Sequence, residues 1–457
     1  MEVKRMKIII VGAGKVGELL CRDLSNEGND ITLIEENQKV LDQVLAYSDI
    51  MGLVGNGANC EILKEANVEK ADIFIAVTQS DEINIISSVM AKKLGAKYTI
   101  ARVRNPEYSS QIQFMTDSLG IDRMLNPESE AAFFILKNLE FPKALNVESF
   151  SRNTVNMLEV LVEKNSYLNG LKLTDFKNHY FKSILVCIVK RNQEVYIPTG
   201  NFILTEGDRI YVTGLQTELS EFYKSLGHSE EKIKSVVIIG AGKITYYLTS
   251  LLLEKKVNLK VFETNEEKAK YLSETYEKAN VILGDGTDSL LLEEEQFSNY
   301  DACVSLTGMD EENVILSMYA NKVGIKKTIT KINNSSLFRL LDFSGLQTIV
   351  TPKKIIADYI IKTVRSFINS QHEENIETLY RLADNKVEAI EFKVSHDSKV
   401  INIPLKNLNI KDNLLIAYII RNNEAIFPGG MDIILPEDRI IIVTTEKYLN
   451  HVNKILK

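Results

Sequence analysis

Apolar and polar positions follow two rhythms along this chain. Short apolar runs end at glycine, an acid or a polar turn, and stretches with apolar residues at helical spacing lie between them. Lys7–Val11 is such a run, after which Val16, Leu20 and Leu24 fall on one helical face. Runs at Ile31–Glu35, Ile50–Val54, Ile73–Val77, Tyr98–Arg102 and Met124–Leu125 complete a predicted set of six strands. Ile83, Ile86, Met90 and Leu94 mark a helix between the fourth and fifth. Strands alternating with helices imply a parallel, doubly wound sheet. Pro127 and Pro352 each suit the first turn of a further helix. The helix from Pro352 is long and amphipathic, with Ile355, Ile356, Tyr359, Ile360, Val364 and Ile368. That stripe exceeds what a lone domain needs, so an interface between chains is expected there, at Ile360 and Val364 in particular.

The pattern is written twice. Gly12 recurs as Gly240, Glu35 as Glu263, Gly55 as Gly284 and Thr78 as Thr307, an offset of about 228 residues. A different kind of segment follows each copy. "EVYIPTGNFILTEGDRIYVTG" from Glu194 matches "EAIFPGGMDIILPEDRIIIVTT" from Glu424, with Asp208 answering Asp438. These segments alternate apolar and polar residues, carry short turns and little helix, and read as small α+β domains. The expected fold is therefore α/β: two Rossmann-like doubly wound domains, each followed by a small α+β domain. The expected limits are 1–145, 146–227, 234–372 and 373–457, with "HSEEKIK" (228–234) as the linker between halves.

The glycine turn carries the chemistry. "GAGKVG" at 12–17 follows a strand and opens a helix, the context a dinucleotide fingerprint requires. Gly12 permits the tight turn, Gly14 lets a pyrophosphate approach the backbone, and Gly17 lets helix and sheet pack closely. Ala13 and Val16 complete the loop, whose helix start offers N–H groups and a positive dipole end to phosphate. Glu35, at the end of the second strand, is placed to accept from ribose hydroxyls. The second copy, "GAGKIT", keeps Gly240, Gly242 and Glu263 but has Thr245 in place of the third glycine, so either its helix shifts outward or the site is remodelled. Lys15 and Lys243 either reach a terminal phosphate or stand solvated at a helix start. The loops at Gly55–Gly57 and Gly284–Thr287 either close over an adenine ring or are plain turns. Arg102 faces phosphate or makes a surface ion pair.

Composition narrows the choice. A chain of 457 residues with 45% hydrophobic and 25% charged residues is an ordinary globular protein of several domains. A net charge of −8 with no basic stripe argues against nonspecific nucleic-acid binding. The longest apolar runs, Ile8–Val11 and Ser183–Val189, are of strand length, so no direct membrane insertion is expected. "MEVKRMK" leads straight into a strand, so no signal peptide is expected either. Cys21, Cys60, Cys187 and Cys303 form no CxxC pair and the histidines are scattered, which predicts no metal site and a reducing, cytoplasmic setting. No tyrosine has a lysine four residues later, and no His–Asp spacing or nucleophile elbow is present. The balance favours a sensor without catalytic residues. A soluble NAD-dependent oxidoreductase, its small domains closing over substrate, is the alternative.

The motifs "GAGKVGELLCRDL", "ITLIEEN", "VGNGAN", "ADIFIAVTQSDEINI" and "RVRNPEY", with the paired endings already quoted, resemble the TrkA family over essentially the whole chain. These are the tandem-RCK peripheral subunits of bacterial and archaeal Trk potassium uptake systems. The resemblance implies the order RCK-N, RCK-C, RCK-N, RCK-C. It also implies a homo-oligomer (dimer or tetramer) at the inner face of the cell membrane, gating a membrane-embedded Trk-type transporter. It implies NAD(H) or ATP/ADP as ligand, with AMP admitted. The family's positions fall on Gly12, Gly14, Lys15, Gly17, Glu35, Asn56, Thr78, Gln79 and Arg102, and on Gly240, Gly242, Lys243, Glu263, Asp285, Thr307 and Lys331. Three departures suggest two sites of different preference: Thr245 for glycine, Asn56–Gly57–Ala58 for the usual Asp–Gly–Thr, and Lys331 opposite Arg102.

Overall fold

The computed structural model describes residues 5–109, 111–142, 144–150, 154–179, 183–227, 232–334, 346–369, 375–383 and 385–457. Residues 228–231 of the predicted linker lie outside that set.

Six strands form the first sheet: β1 (Lys7–Val11), β2 (Asp30–Glu35), β3 (Met51–Val54), β4 (Ile73–Ala76), β5 (Tyr98–Arg102) and β6 (Arg123–Leu125). Their order is β3-β2-β1-β4-β5-β6, and every pairing is parallel. Between them run α1 (Lys15–Asn26), α2 (Gln38–Leu45), α3 (Cys60–Glu65), α4 (Asp81–Leu94), α5 (Pro106–Ser109) and α6 (Ile112–Leu119), and α7 (Pro127–Glu140) follows β6. Ile8, Ile10, Leu33 and the whole of β4 are buried, as central parallel strands must be when helices cover both faces. The apolar stripe that marks α4 in the sequence is buried only in part, with Met90 and Leu94 packed against the core. Asp81, Asn84, Ser87, Ser88 and Ala91 are buried, whereas Ile86 is 50% exposed.

The small sheet that follows is antiparallel: β7 (Asn146–Phe150), β8 (Val155–Leu161), β9 (Leu185–Arg191), β10 (Glu194–Tyr196) and β11 (Arg209–Leu215), in the order β10-β9-β11-β8-β7. α8 (Leu173–His179) and α9 (Gln216–Ser225) accompany it.

The second half repeats the scheme. β12 (Ser235–Ile239), β13 (Asn258–Glu263), β14 (Asn280–Leu283), β15 (Ala302–Ser305), β16 (Lys327–Lys331) and β17 (Thr348–Val350) form a parallel sheet in the order β14-β13-β12-β15-β16-β17. Its helices are α10 (Lys243–Glu254), α11 (Glu266–Thr275), α12 (Ser289–Glu294), α13 (Asp310–Lys322) and α14 (Pro352–Asn369). The last sheet, β18 (Asn375–Leu382), β19 (Val387–Lys393), β20 (Leu414–Arg421), β21 (Glu424–Ile426) and β22 (Arg439–Thr444), is antiparallel in the order β18-β19-β22-β20-β21. Among the described residues no helix is long and apolar enough to cross a membrane.

The chain divides into two compact units. One holds Met1–Phe133 with Gly242–Leu248 and Thr351–Val364. The first parallel sheet thus shares its unit with the start of α10 and most of α14. There the Arg123 guanidinium donates to Tyr359 Oη at 2.6 Å. Ile356, Ala357, Ile360, Ile361 and Val364 are wholly buried within the chain. This corrects the expectation from sequence: Ile356, Ile360 and Val364 of the α14 stripe are core, covered by this chain's own residues, so Ile360 and Val364 offer no surface to another copy, while the Ile368 side chain lies outside the described residues.

The other unit holds Phe134–Ala241, Thr249–Val350 and Arg365–Lys457. In it the two small sheets share a core. Leu158, Val160, Ile210 and Val212 point to one face and pack with Leu219 and Phe222 of α9. Val155, Met157 and Tyr211 point to the other and pack against Val387, Ala389, Tyr418, Ile441 and Val443. The period-two alternation of β8 and β11 therefore meets apolar partners on both faces. Arg365, near the end of α14, donates two hydrogen bonds to the Glu388 carboxylate at 2.9 and 3.0 Å in a buried ion pair. Lys327 is buried in β16, where its ammonium donates to Ala144 O and Thr348 Oγ1, each at 2.7 Å. Burial lowers its pKa from 10.5 to about 7.

Two outcomes follow. Ile360→Ala lowers stability by about 2–5 kcal/mol in thermal unfolding and leaves the light-scattering mass of the folded protein unchanged. Lys327 gives up its proton near pH 7 when folded and only near 10.5 when unfolded. Between those values the unfolded chain binds more protons, so stability rises with pH. The thermal midpoint of the wild type relative to Lys327→Met climbs across that window, and a constant difference would contradict this.

Candidate functional site

β1 lies at the centre of the first sheet, and the strand order reverses between β1 and β4, so the turn after Val11 opens onto the crevice at the carboxyl ends of the strands. Gly12 has φ +99°, and a Cβ there would lie 3.0 Å from the Thr78 backbone. A Cβ on Gly17 would lie 1.9 Å from the Gly12 carbonyl oxygen, so only glycine lets α1 sit this close to the strand. Gly14 is the N-cap of α1; no side chain caps this helix, and a Cβ on Gly14 would meet nothing within 4 Å. The helix start therefore presents N–H groups along an open approach, which suits a phosphate.

Glu35 closes the turn from the side. Its Oε2 accepts from Ala13 N at 2.6 Å and its Oε1 from Asn37 N at 3.0 Å. Glu263 repeats this with Ala241 N at 2.6 Å and Asn265 N at 2.8 Å. A carboxylate has about four lone-pair sites, so each glutamate keeps acceptor capacity for ribose hydroxyls beside the turn.

The turn after β4 is held by Asn84, which is fully buried. Its Oδ1 accepts from Thr78 N and Thr78 Oγ1, both at 2.8 Å, and its Nδ2 donates to Thr78 O at 3.2 Å and Arg102 O at 2.9 Å. Asn313 Oδ1 accepts from Thr307 N at 2.8 Å, and its Nδ2 donates to Thr307 O at 3.3 Å and Lys331 O at 3.0 Å. Asp81 accepts from the backbone N–H groups of Arg104 and Asn105 at 2.8 and 2.7 Å, and Asp310 from those of Asn333 and Asn334 at 2.9 and 2.8 Å. Neither pair is among the residues singled out from sequence. Their signal in the sequence is the repeat itself: "DEINI" and "DEENV" keep the acid and the asparagine at the repeat offset, on the polar face of a helix.

Gly12, Ala13, Gly14, Gly17, Glu35, Thr78 and Arg102 thus converge on one turn. Arg102 donates to Thr78 O, its Nε is buried without a partner among the described residues, and burial brings its pKa down to about 10. Lys331, its counterpart, donates to Leu306 O at 3.2 Å. Both basic side chains donate to backbone carbonyls, Arg102 to Thr78 and Lys331 to Leu306. Gln79 is exposed and lends its carbonyl to Arg104. Lys15 pairs with Glu18 at 3.3 Å on the exposed helix start, which is the solvated arrangement. Val16 packs inward. Asn56 and Asp285 sit in exposed loops after β3 and β14, each pressed onto its sheet by a glycine. A Cβ on Gly57 would meet Val11 at 2.2 Å, and one on Gly286 would meet Ile239 at 2.4 Å.

The second glycine turn departs at its helix. Thr245 is fully buried where the first copy has no room for a Cβ, so α10 starts with a different fit. That start lies in the first unit. Tyr247 Oη accepts from Asn126 Nδ2 at 2.8 Å and donates to Arg104 O at 3.4 Å. Glu82 has its carboxyl pKa lowered by the Ser80 hydroxyl first and, more weakly, by the charge of Lys243. Among the described residues no three His, Cys, Asp or Glu side chains gather as a metal site.

Comparison with known proteins follows the same division. The TrkA-N domain matches residues 8–127 and 236–352, and the TrkA-C domain matches 157–227 and 389–457. The Trk system potassium uptake protein TrkA homolog of Archaeoglobus fulgidus is 29% identical over 452 residues, spanning 99% of this chain and 100% of its own. TrkA homolog 1 of Methanosarcina mazei is 30% identical over 460 residues, spanning 99% and 100%. The solved structure of the GsuK channel bound to NAD is similar in fold across 100% of this chain and 79% of its own, with a TM-score of 0.61 at 15% identity.

Asn84→Leu leaves Thr78 N and Arg102 O buried without their partner, at a cost of about 1–3 kcal/mol each. Thermal unfolding reads this as a lower midpoint, and an unchanged midpoint would contradict the clamp. Gly17→Ala disrupts the first turn, whereas Thr245→Ala is tolerated; circular dichroism melts of the two variants separate these outcomes.

Proposed function

This chain belongs to the TrkA family, and on that premise we propose that it is the regulatory subunit of a Trk-type potassium uptake system, binding nucleotide at its two glycine turns and passing their occupancy to a membrane-embedded transporter. The observation that carries the reading is the repeated turn, in which a strand-end carboxylate sits 2.6 Å from the turn's own N–H in both halves. The open approach at Gly14 and at Gly242 supports it. NAD(H) or ATP/ADP supplies a phosphate chain and a ribose, and AMP a single phosphate.

In the first site the backbone of Gly12–Gly17 receives the phosphates, Glu35 the ribose, and the loop at Asn56 the base. Thr78, Gln79 and Arg102 border the far end. In the second, Gly240, Gly242 and Lys243 take the phosphates, Glu263 the ribose and Asp285 the base, with Thr307 and Lys331 beyond. The chain performs no chemistry itself and needs only differential binding between two conformations. A coupling of about 1–3 kcal/mol is enough. Near the start of α10, Tyr247 holds loops of the first domain at Arg104 and Asn126. In this reading the four domains have the limits 1–145, 146–227, 234–372 and 373–457. The protein works in the cytoplasm as a homo-oligomer, held at the membrane by its transporter. Exposed Ile86 and its repeat counterpart Ile315 leave apolar surface for further copies.

Glu35 points to NADH over NADPH at the first site, because a free 2′-hydroxyl donates to the carboxylate and a 2′-phosphate repels it. A hydrogen bond to a charged group contributes about 1.5–3 kcal/mol, or about 10- to 150-fold in affinity. In calorimetry on the full chain, Glu35→Ala weakens NADH binding at one of two sites by that factor and narrows the gap to NADPH. Equal affinity of the wild type for both dinucleotides, or no effect of the substitution, would contradict the role of Glu35.

A further inference from the structure

The two loops expected to face the base have opposite hydrogen-bond polarity. Along each parallel sheet the site steps outward from the glycine turn at the first strand to the carboxylate at the end of the second strand, and then to the loop after the third. Neighbouring strands are about 4.8 Å apart, close to the spacing from phosphate to ribose to base in a nucleotide. The base edge is therefore read at Asn56 in the first half and at Asp285 in the second.

Asn56 Oδ1 accepts from Ala58 N at 2.7 Å. That backbone donor fixes the orientation of the amide, so its Nδ2 group, a donor, is the part directed away from the loop. Asp285 Oδ1 accepts from both Thr287 N and Thr287 Oγ1 at 2.8 Å. These bonds hold the carboxyl ionised, the backbone one most strongly, and leave Oδ2 as an acceptor. The loops are otherwise alike, each pinned to the first strand of its sheet at Gly57 or Gly286. The hydroxyl that completes the Asp285 arrangement has no counterpart at Ala58.

Resting on the nucleotide reading above, we propose that the two sites differ in base specificity: Asp285 makes the second site select a 6-amino purine, and Asn56 makes the first accept 6-amino and 6-oxo purines alike. The adenine 6-amino group donates to the Asp285 carboxylate. A 6-oxo purine brings an acceptor to the same place, loses that bond and faces a like charge. The Asn56 amide donates equally well to the 6-oxo oxygen or to a ring nitrogen of adenine. One chain then carries an adenine-specific site and a base-tolerant site, which report different features of the nucleotide pool.

The test is competition on the full chain, with labelled ATP displaced by ITP, the same nucleotide with a 6-oxo base. In the wild type, ITP displaces half of the bound ATP at near-equal affinity, and the other half needs about 10- to 100-fold more. Asp285→Asn makes all of the bound ATP displaceable at the lower concentration. Asn56→Asp makes none of it so. Both substitutions are nearly isosteric and lie in exposed loops, and an unchanged thermal midpoint confirms that each variant is folded. Equal discrimination at both sites of the wild type, or no effect of either exchange, overturns the proposal while leaving nucleotide binding intact. Absence of ATP binding to the folded wild type overturns the nucleotide reading with it.

Discussion

A backbone N–H of the glycine turn meets the carboxylate at the end of the neighbouring strand at 2.6 Å, once in each half of the chain. Much else in each parallel sheet is arranged around that contact. It requires the turn to double back above the first strand, which requires positive φ at Gly12 and Gly240. In the first half it also draws the helix so near that position 17 has no space for a Cβ. An acid held this way leaves the start of α1 uncovered by any side chain, with its N–H groups directed into the crevice. The buried amides of Asn84 and Asn313 brace the opposite wall of each crevice by tying the turn after the fourth strand to the end of the fifth.

Much of this was legible in the sequence because it is local. A strand, a glycine turn and a helix at the right spacing need no long-range information, and an offset repeat announces the same unit twice. Residues that act through burial were harder to read. Asn84 and Asp81 look like solvated helix positions until the helix is seen to turn its polar face to the sheet. The stripe on α14 reads as an interface from spacing alone. Its partner is the chain itself, because Thr351–Val364 share a compact unit with the first sheet. Periodicity reports that a face is covered; it does not report by what.

The same limit applies to the small domains. Alternation in β8 and β11 predicts one covered face and one wet face, yet both are apolar, and the second is covered by the sheet of the other half. Duplication thus gives this chain an internal pairing of its two small sheets. It also allows divergence. Thr245, Ala58 and Lys331 stand where their repeat counterparts are Gly17, Thr287 and Arg102, and each change alters what a turn or loop presents while the sheet beneath it is kept.

In the proposed function, occupancy of these turns governs potassium movement through a separate membrane protein. The most direct measurement is potassium flux through the Trk-type transporter reconstituted in lipid vesicles with this chain on the outer face, recorded as NADH or ATP is added. The account predicts a nucleotide-dependent change in flux that requires this chain, disappears when Glu35 and Glu263 are both replaced by alanine, and consumes no nucleotide. Flux indifferent to nucleotide in the presence of bound, folded chain would contradict it, as would turnover of NADH by the chain alone.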